Sequence, residues 1–538
     1  MAERTPLVTK WQRLSTAGRE TTRGGLVASA GIVMLFNILA KVLGFTRDVI
    51  LAGYFGAARA TDAFYVALNL PQTYLASIGG AIGTGVLPVV TELRVQGKED
   101  EARVVASTIL NLTIAVSAAV ALGGVVLALP IMRLVATGLA PETLALSASL
   151  ARLLFVVFVF VGVGSVLGLL LNSLKDFAVP AANPVLVNIF TIAVVTWLAR
   201  DLGMYAAVYG YAAGAIVQFL LQGYWLRRRG LPPGLSFDLH HPAVRRVLTL
   251  AVPVLAGSIV GGIYLTVDNW LASHLAEGSI ASKTFALKLI QVPVGILSAA
   301  IATVTFPTLS ERAARQDIAG LADVTTFGLR AVALVTIPAA VGLAVLRIPV
   351  VGVLFERGAW SAEATASTSA VLLYYALGIF AVAATPVPAR AFQGMQDMVT
   401  PLFLGVGVAC LNIVLDLILI RPLGLVGLPL ANSVAVTLGL VAYYYLLNRR
   451  VHGLPGTKLA ASLAKIVAAS VAMGLVVWAA VPVVSRLVPN DGTLIEASKL
   501  LALIVLGGLV YLAALIALRQ DDVQSLGSLL RRTLARAR

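Results

Sequence analysis

The residues of this sequence best placed to do chemistry are charged side chains that interrupt long apolar stretches. The first stretch holds Lys41, Arg47 and Asp48 within AKVLGFTRDVI. A charge at the centre of a membrane helix costs about 2.5–3.5 kcal/mol on insertion scales, so such residues normally face a partner or a water-filled cavity. On a helix, Lys41 and Asp48 share a face but lie about 10 Å apart along the axis, too far to neutralise each other. Gly44 would allow a bend that turns Lys41 and Arg47 toward one cavity.

Lys41, Arg47 and Lys288 together predict a cationic cavity. Charge-assisted hydrogen bonds from such a cavity would bind an anion such as a pyrophosphate. Asp48 and Asp62 accompany these cations and complete the candidate substrate-binding set. Two simpler interpretations stay open: Arg47 lies at the membrane interface or pairs with Asp62, and Lys288 pairs with a nearby aspartate.

A second, oxygen-rich group lies in the C-terminal half of the chain. Asn412 and Asp416 are four residues apart, which places both on one helix face. Asn432 on the next apolar stretch and Asp268 on an earlier one could complete the group. Carboxylate and amide oxygens suit hard cations, so sodium is one candidate ligand. Proton coupling through Asp268 or Asp416 is another, and plain hydrogen bonding between helices would also explain these side chains.

Other motifs give an enzyme no positive support. The single Cys410 excludes a disulfide framework and a CxxC metal site. The spacing Gly162-x-Gly164-x-x-x-Gly168 departs from the dinucleotide-binding pattern and suits helix packing. No Ser/His/Asp set and no glycine-rich phosphate loop stands out. The 40 Lys and Arg residues, against 25 Asp and Glu, form short clusters between apolar stretches, which indicates cytoplasmic loops and no nucleic-acid partner.

The elements that position these residues are long apolar helices. Of the 538 residues, 59% are apolar and 12% are charged, about half the charged fraction that a soluble surface needs. A helix crosses the bilayer core with about 20 apolar residues, and strand-like alternation is absent. The sequence therefore predicts an all-α polytopic membrane protein of about fourteen transmembrane helices. They lie near 26–54, 62–92, 104–136, 143–172, 178–199, 203–226, 247–274, 281–309, 324–354, 364–391, 399–420, 423–447, 458–485 and 494–518.

The second half of the chain repeats motifs of the first at a nearly constant offset. AIGTGVLPVVTE at Ala81–Glu92 resembles AIATVTFPTLSE at Ala300–Glu311, and Leu202-Gly203 recurs as Leu423-Gly424. Asp176 recurs as Asp397, with the same separation as Leu202 and Leu423. Each repeat holds six helices, an even number, so both enter the membrane in the same direction, as in parallel-repeat transporters. Two six-helix lobes with a cavity between them are expected, followed by two C-terminal helices.

The predicted organisation places both termini in the cytoplasm, because the basic residues lie mainly in loops on the side of the N-terminus. The first residues lack the apolar core and cleavage site of a removable signal peptide. The predicted segments are a basic N-terminus (1–24), an N-lobe of helices 1–6 (25–229), a cytoplasmic linker (230–246), a C-lobe of helices 7–12 (247–450), helices 13–14 (451–518) and a basic tail (519–538).

Three N-terminal motifs resemble a known family. They are Lys41-Val-Leu-Gly-Phe-Thr-Arg47-Asp48, then Ala60-Thr-Asp62-Ala-Phe64, then Leu87-Pro88 followed by Glu92. They are similar to signatures of the MurJ (MviN) family of lipid II flippases, which belongs to the multidrug/oligosaccharidyl-lipid/polysaccharide (MOP) exporter superfamily. The resemblance spans nearly the whole chain, including the helix count, the repeat and the added terminal pair.

The resemblance implies a multi-pass protein of the bacterial cytoplasmic (inner) membrane that serves cell-wall synthesis and cell shape. A lipid-linked disaccharide-pentapeptide would move from the inner to the outer leaflet by alternating access. Cavity arginines would bind its pyrophosphate, the last two helices would hold the undecaprenyl tail, and cell-wall synthesis proteins are candidate partners. No cofactor is required, although sodium or the membrane potential would reset the lobes. The family's sodium ligands correspond to Asp268, Asn412, Asp416 and the backbone of Leu428, with Asn432 in place of the usual Thr.

Two departures from the family pattern bear on the substrate. Lys41 and Lys288 stand where the family usually has Arg, and Thr73-Tyr74-Leu75-Ala76 lacks a further Arg that some members carry. Arg binds phosphate with two parallel hydrogen bonds whereas Lys acts as a point charge, so the cavity keeps its charge and loses fork geometry. The alternatives are an exporter of another polyprenyl-linked saccharide or of drugs, and a membrane scaffold for cell-wall enzymes that transports nothing.

Overall fold

The computed structural model describes residues 23–315, 317–451, 453–488 and 492–520. The chain divides into two compact units, Met1–Ile280 and Ala281–Arg538. The first unit contains α1 (Arg23–Phe55), α2 (Arg59–Leu70), a π-helical turn (Pro71–Leu75), α3 (Ala76–Val95), α4 (Glu99–Val126), α5 (Ala128–Val135), α6 (Pro141–Ser173), α7 (Ala178–Ala181), α8 (Asn183–Leu202), α9 (Tyr205–Arg228) and α10 (Pro242–Ser273).

The second unit begins within the next helix. It contains α11 (Ser279–Ala314), α12 (Ile318–Val345), α13 (Arg347–Phe355), α14 (Ala362–Ala376), α15 (Ile379–Ala384), α16 (Pro386–Gly394), α17 (Val399–Leu423), a 3-10 turn (Gly424–Val426), α18 (Gly427–Arg450), α19 (Gly456–Leu487) and α20 (Thr493–Ala517). Helices are the only regular elements among the described residues, which confirms the predicted all-α class.

Each of the fourteen predicted apolar stretches coincides with one helix or with consecutive helices. Among the described residues, nine helical stretches are long and apolar enough to cross a membrane, or ten with the bent pair Ala362–Ala376 and Ile379–Gly394, whose axes differ by 52°. One of the nine, Val399–Arg450, contains both α17 and α18. The count of fourteen crossings therefore stays a prediction.

Small residues let the helices of the first unit approach closely. A Cβ added to Gly79 on α3 would lie 2.3 Å from the carbonyl oxygen of Gly162 on α6, and one added to Gly83 would lie 1.8 Å from Leu169 Cδ1. Association of helices in a membrane depends on such packing, because lipid tails are as apolar as the side chains they replace. The glycines of the rejected dinucleotide motif thus serve helix packing, as the sequence predicted.

The predicted repeat reappears in backbone geometry. Lys175 and Gln396, which occupy equivalent positions of the two repeats, both take the left-handed conformation, with φ of 60° and 61°. Gly203 and Gly424 end the following helices with φ of 56° and 57°. The first unit and the second unit therefore have the same backbone conformation at equivalent positions, which supports the predicted repeat.

An ion pair is repeated as well. Asp176 Oδ2 lies 2.6 Å from Arg229 Nη2 in the first unit, and Asp397 Oδ2 lies 3.1 Å from Arg450 Nη2 in the second. Both members of the second pair are displaced along the sequence from those of the first by the same offset as Gly203 and Gly424. In each unit the pair joins the loop after the fourth helix of the repeat to the end of the sixth.

The boundary between the two compact units, after Ile280, lies further along the chain than the predicted boundary between the repeats, at the linker 230–246. α10, the seventh predicted helix, belongs to the first compact unit, and Arg246 Nη1 near its start lies 2.8 Å from Glu92 Oε2 on α3. The predicted lobes, divided at the linker 230–246, stay a prediction, because a repeat and a packing unit are different properties. Residues 1–22 of the predicted N-terminus and 521–538 of the tail lie outside the described residues.

Replacing Asp397 with alanine should destabilise the second unit by about 1 kcal/mol, as expected for loss of a carboxylate that caps a helix. The carboxylate accepts hydrogen bonds from the backbone N–H of Thr400, at 2.9 Å, and of Val399, at 3.2 Å. The Thr400 N–H and hydroxyl, with help from Arg450, hold the pKa of Asp397 below its usual range. The stabilisation is therefore present above the usual carboxyl pKa of about 4 and is lost as the pH falls through the lower folded value.

Thermal unfolding in detergent across pH checks this expectation. The difference in Tm between the wild type and Asp397→Ala should be largest at neutral pH and narrow in acid. Asp201→Ala, which removes an exposed carboxylate at the end of α8, is the control and should leave Tm unchanged. A difference that persists unchanged in acid would contradict the electrostatic explanation.

Candidate functional site

Arg47 on α1 forms an ion pair with its neighbour, Asp48. Arg47 Nη2 and Nε donate to Asp48 Oδ1 at 2.8 and 3.2 Å. The Asp48 side chain is 5% exposed and that of Arg47 is 19% exposed. This ion pair lies within one helix, and the alternative pairing of Arg47 with Asp62 is not the arrangement found.

A side chain from a second helix completes the arrangement. Arg47 Nη1 donates to Asn188 Oδ1 on α8 at 3.0 Å, and Asn188 Nδ2 donates to the carbonyl oxygen of Ala40 at 3.1 Å. A Cβ added to Gly44 would lie 3.4 Å from Asn188 Nδ2. The Asn188 amide therefore lies at van der Waals distance from Gly44, and α1 continues as one helix through Gly44. Asn188 is not among the predicted site residues, although an amide in an apolar stretch was the available signal.

The Arg47 guanidinium keeps hydrogen-bonding capacity in this arrangement. A guanidinium has five N–H donors, and three of them are used by Asp48 and Asn188. Two donors stay available to an anion that approaches the exposed side of the group. Lys41 is exposed on the same helix, about 9 Å from Arg47 along the axis.

Asp62 lies in a different cluster. Its Oδ2 accepts a hydrogen bond from the backbone N–H of Gly278 at 2.6 Å, and its side chain is buried at the start of α2. It lines a cavity of about 240 Å³ with Arg59 and Glu277. Because Arg59 is bound by Glu142 at 2.6 Å and by Glu277 at 3.3 Å, the carboxylates here outnumber the cation. The structure thus gives Asp62 a part in anchoring the α10–α11 loop, and its predicted part in substrate binding stays a prediction.

Lys288 and Asp268 each lie in a different compact unit from their predicted partners. Lys288 is half-buried on α11 in the second unit, whereas Lys41 and Arg47 lie in the first. Asp268 is buried on α10 in the first unit, whereas its predicted partners lie in the second. The three-cation cavity and the complete oxygen-rich group therefore stay predictions.

The remaining oxygen-rich residues do meet in the second unit. Assigned from the hydrogen-bond network, the Asn412 amide donates from nitrogen to Asp416 Oδ2 at 2.8 Å, and its oxygen accepts from the backbone N–H of Asn432 at 2.9 Å. Asn412 and Asp416 are 2% and 0% exposed, so the predicted contact at four-residue spacing is confirmed. Asn432 therefore contacts Asn412 through its backbone. Leu428 is buried one turn before Asn432 on α18.

These residues fit a monovalent cation in part. Asp416 supplies a hard carboxylate oxygen, and a fully buried carboxylate needs a compensating cation, proton or hydrogen bonds. The Asn412 oxygen, however, points toward the backbone of α18. In this orientation Asn412 donates to Asp416, and its oxygen is already used by the backbone N–H of Asn432. Among the described residues, no cluster of three or more His, Cys, Asp and Glu side chains could hold a metal ion.

Apolar helices, repeated backbone geometry and buried charges are typical of polytopic membrane transporters. The fold matches an inward-facing multidrug-resistance MATE transporter of the MOP superfamily, with a TM-score of 0.68 and 16% identity, over 78% of this chain and 96% of that one. A solved structure named lipid II flippase MurJ, inward closed conformation, has a TM-score of 0.77 and 25% identity, over 91% of this chain and 100% of that one.

The chain belongs to the MurJ family, whose model, described as lipid II flippase MurJ, matches residues 51–495. The lipid II flippase MurJ of Burkholderia cenocepacia is 28% identical over 427 residues, 77% of this chain and 82% of that protein. The probable lipid II flippase MurJ of Vibrio cholerae is 30% identical over 441 residues, 80% of this chain and 83% of that protein. The resemblance predicted from the N-terminal motifs is confirmed.

Proposed function

We propose that this protein moves lipid II from the inner to the outer leaflet of the bacterial cytoplasmic membrane by alternating access, for cell-wall synthesis. The observation that carries the proposal is the MurJ family match over residues 51–495, supported by relatives named as lipid II flippases or probable ones. Transport of this kind breaks no covalent bond in the substrate, so the protein acts as a transporter and not as an enzyme. Both termini lie in the cytoplasm, and the partners are the polyprenyl-linked substrate and membrane lipid.

Arg47 is the centre of the proposed pyrophosphate site. Asp48 and Asn188 hold its guanidinium from one side through three N–H groups. The two free donors would bind phosphate oxygens with short, charge-assisted hydrogen bonds. A guanidinium fixed before binding loses less conformational freedom when the substrate arrives. Lys41 and Lys288 would add positive charge without the fork geometry of arginine.

The last two helices would accommodate the undecaprenyl tail. α19 and α20 pack against α12 in the second unit through Ala333, Ile466 and Leu515. Their outer faces expose large apolar side chains that suit contact with acyl or polyprenyl chains. These include Leu475, Trp478, Leu501, Leu509 and Ile516.

Resetting of the lobes would draw on sodium or on the membrane potential. Asp416, with Asn412 beside it, is the described carboxylate best placed to hold the ion, and Asp268, Asn432 and the carbonyl of Leu428 would complete the ligand set. A bound cation would neutralise a fully buried carboxylate. A proton on Asp416 would have the same effect on charge, which makes proton coupling the competing mechanism.

The proposal is tested in cells whose only flippase is this protein. An enzyme that degrades lipid II is added outside the cells, and the fraction of lipid II cleaved is measured with and without expression. We expect cleavage only when the protein is expressed. Absent cleavage, despite normal insertion in the membrane, would contradict the proposal and would favour another polyprenyl-linked saccharide or a scaffold that transports nothing.

A further inference from the structure

The chain between α9 and α10 is held against the first unit at both of its ends. Leu231 is 2% exposed, Val244 in the first turn of α10 is 0% exposed, and both belong to an apolar core of the first unit. Between these two positions, residues 232–241 form neither helix nor strand. The contacts made along this segment therefore decide which of its side chains face outward.

Polar side chains of α4 bind the middle of the segment. The backbone N–H of Gly234 donates to Ser107 Oγ at 3.0 Å. Asn111 Nδ2 donates to the carbonyl oxygens of Gly234 and Ser236 at 2.9 and 3.0 Å. The hydroxyl oxygens of Ser236 and Thr108 lie 2.8 Å apart. Ser236 therefore faces α4, and the segment supplies hydrogen bonds that these polar side chains of a largely apolar helix need.

The apolar side chains of the same segment face outward. Leu235 is 95% exposed, Phe237 is 60% exposed and Leu239 is 43% exposed. They alternate along the chain with Ser236 and Asp238. Because hydrogen bonds hold the backbone against α4, these three side chains form a fixed outward surface, which we call the apolar patch. Exposed apolar side chains that lie together mark an interaction surface.

The exposure of α4 shows where the apolar patch lies relative to a bilayer. Residues 99–104 of this helix include exposed charged side chains, residues 105–113 are all at least partly covered, and every exposed residue from 114 to 126 is apolar. A charged helix end faces water, whereas a purely apolar face suits lipid tails. The segment binds α4 between these two zones, so the apolar patch lies at the boundary between headgroups and hydrocarbon.

Arginines flank the segment along the chain. Arg227 and Arg228 lie in the last turn of α9, and Arg245 lies in the first turn of α10. All three are exposed, and none has a carboxylate partner within the described part of the chain. Arg228 instead lies 5.0 Å from the centroid of the Tyr224 ring. Exposed cations next to a membrane surface attract anionic lipid phosphates.

We propose that residues 235–239 anchor the first unit in the interfacial layer of the membrane, with the apolar patch among the acyl chains and the flanking arginines on anionic lipid phosphates. Apolar and aromatic side chains accompanied by basic ones are typical of interfacial membrane anchors. The patch also continues into the apolar face of α4, because Ile114, which is 38% exposed, lies only about 4.5 Å along the axis from Asn111. This anchor goes beyond lipid II transport, since it uses no residue assigned to the substrate or to sodium.

Quenching of a bimane label in proteoliposomes of phosphatidylethanolamine and phosphatidylglycerol tests the proposal. Single cysteines replace Leu235, Phe237 or Leu239 in a Cys410→Ser background, which removes the native cysteine. One quencher is a lipid with a doxyl group near the glycerol end of its acyl chain, and the other is iodide on both sides of the bilayer. We expect the doxyl lipid to quench all three labels strongly and iodide to quench them weakly.

Two positions on α4 calibrate the measurement. Asp100→Cys, at the exposed charged end, should be quenched mainly by iodide, and Val120→Cys, on the exposed apolar face, mainly by the doxyl lipid. Strong iodide quenching of the apolar patch would overturn the proposal by placing the patch in water. Weak quenching by both agents would also overturn it, by showing that protein covers the patch.

The contribution of the arginines has its own test with the label at Phe237→Cys. Doxyl-labelled phosphatidylglycerol should quench more strongly than doxyl-labelled phosphatidylcholine at equal mole fraction, because the arginines enrich the anionic lipid nearby. The variant Arg227→Gln/Arg228→Gln/Arg245→Gln should remove this difference, whereas Arg357→Gln, which changes an exposed arginine of the second unit, should keep it. Equal quenching by the two lipids without any arginine substitution would overturn the contact of these arginines with anionic lipid.

Discussion

Replacing Arg47 with alanine should abolish exposure of lipid II at the outer surface while the protein still folds and inserts. The change removes the two N–H donors that we assign to the pyrophosphate. A hydrogen bond to a charged group contributes about 1.5–3 kcal/mol, so the loss of two should slow translocation by at least about 100-fold, at about 1.4 kcal/mol for each factor of ten. Cleavage of lipid II by an externally added enzyme measures the effect.

Two further variants separate the causes of that loss. Arg47→Lys keeps the charge and removes the fork, so it should restore part of the activity if charge matters and little if two parallel hydrogen bonds are required. Arg200→Ala removes an exposed arginine from the end of α8 and should leave exposure unchanged. Normal exposure in Arg47→Ala, with the protein present in the membrane at wild-type level, would refute the assignment of this residue.

Asn188→Ala would show whether the fixed orientation of Arg47 matters. The charge of Arg47 would remain, but its Nη1 would lose the acceptor on α8. A fall in exposure smaller than that of Arg47→Ala is the expected intermediate result. This contact could not have been predicted from spacing, because Asn188 is 141 residues from Arg47. Only the packing of α8 on α1 brings them together.

Burying a charge in an apolar stretch costs free energy, and this cost marks the charged site residues in the sequence. The partners whose hydrogen bonds offset the cost are not marked in the same way. A charge in an apolar stretch is visible in the sequence, which is why Arg47 and Asp48 were found. Asp62 was also found for this reason, but its contact is the backbone N–H of Gly278. Any residue type except proline supplies a backbone N–H, so no sequence pattern marks such a partner. The hydrogen bond from the backbone N–H of Asn432 to the Asn412 oxygen could not be predicted for the same reason.

Periodic spacing predicted contacts within one helix more reliably than contacts between helices. The contact of Asn412 with Asp416 follows from four-residue spacing alone. Helix positions were also predictable, since each apolar stretch became helical, and the sequence repeat reappeared in the φ angles of Gly203 and Gly424. The packing of α10 with the first unit was not predictable, because hydropathy shows that a helix is apolar and not which neighbour it contacts.

Replacing Asp416 with asparagine should remove sodium-specific stabilisation of the protein. Asp416 is fully buried and its Oδ2 accepts from the Asn412 amide at 2.8 Å. A ligand that binds only the folded state stabilises it by about 2.7 kcal/mol at about 100 times its Kd. The wild type should therefore unfold several degrees higher in sodium chloride than in potassium chloride of equal ionic strength. Asp416→Asn should unfold at the same temperature in both salts.

The orientation of Asn412 makes this expectation sharper. Asn412 would supply an amide oxygen to a sodium ion held by Asp416, and that oxygen now accepts from the backbone N–H of Asn432, so Asn412→Ala should weaken the sodium effect without removing it. Glu363→Gln changes an exposed carboxylate in the first turn of α14 and should keep the full effect. Equal Tm values for the wild type in the two salts would exclude a sodium site at Asp416. A flipping rate that then depended on pH in the wild type and not in Asp416→Asn would assign the coupling to a proton on the same carboxylate.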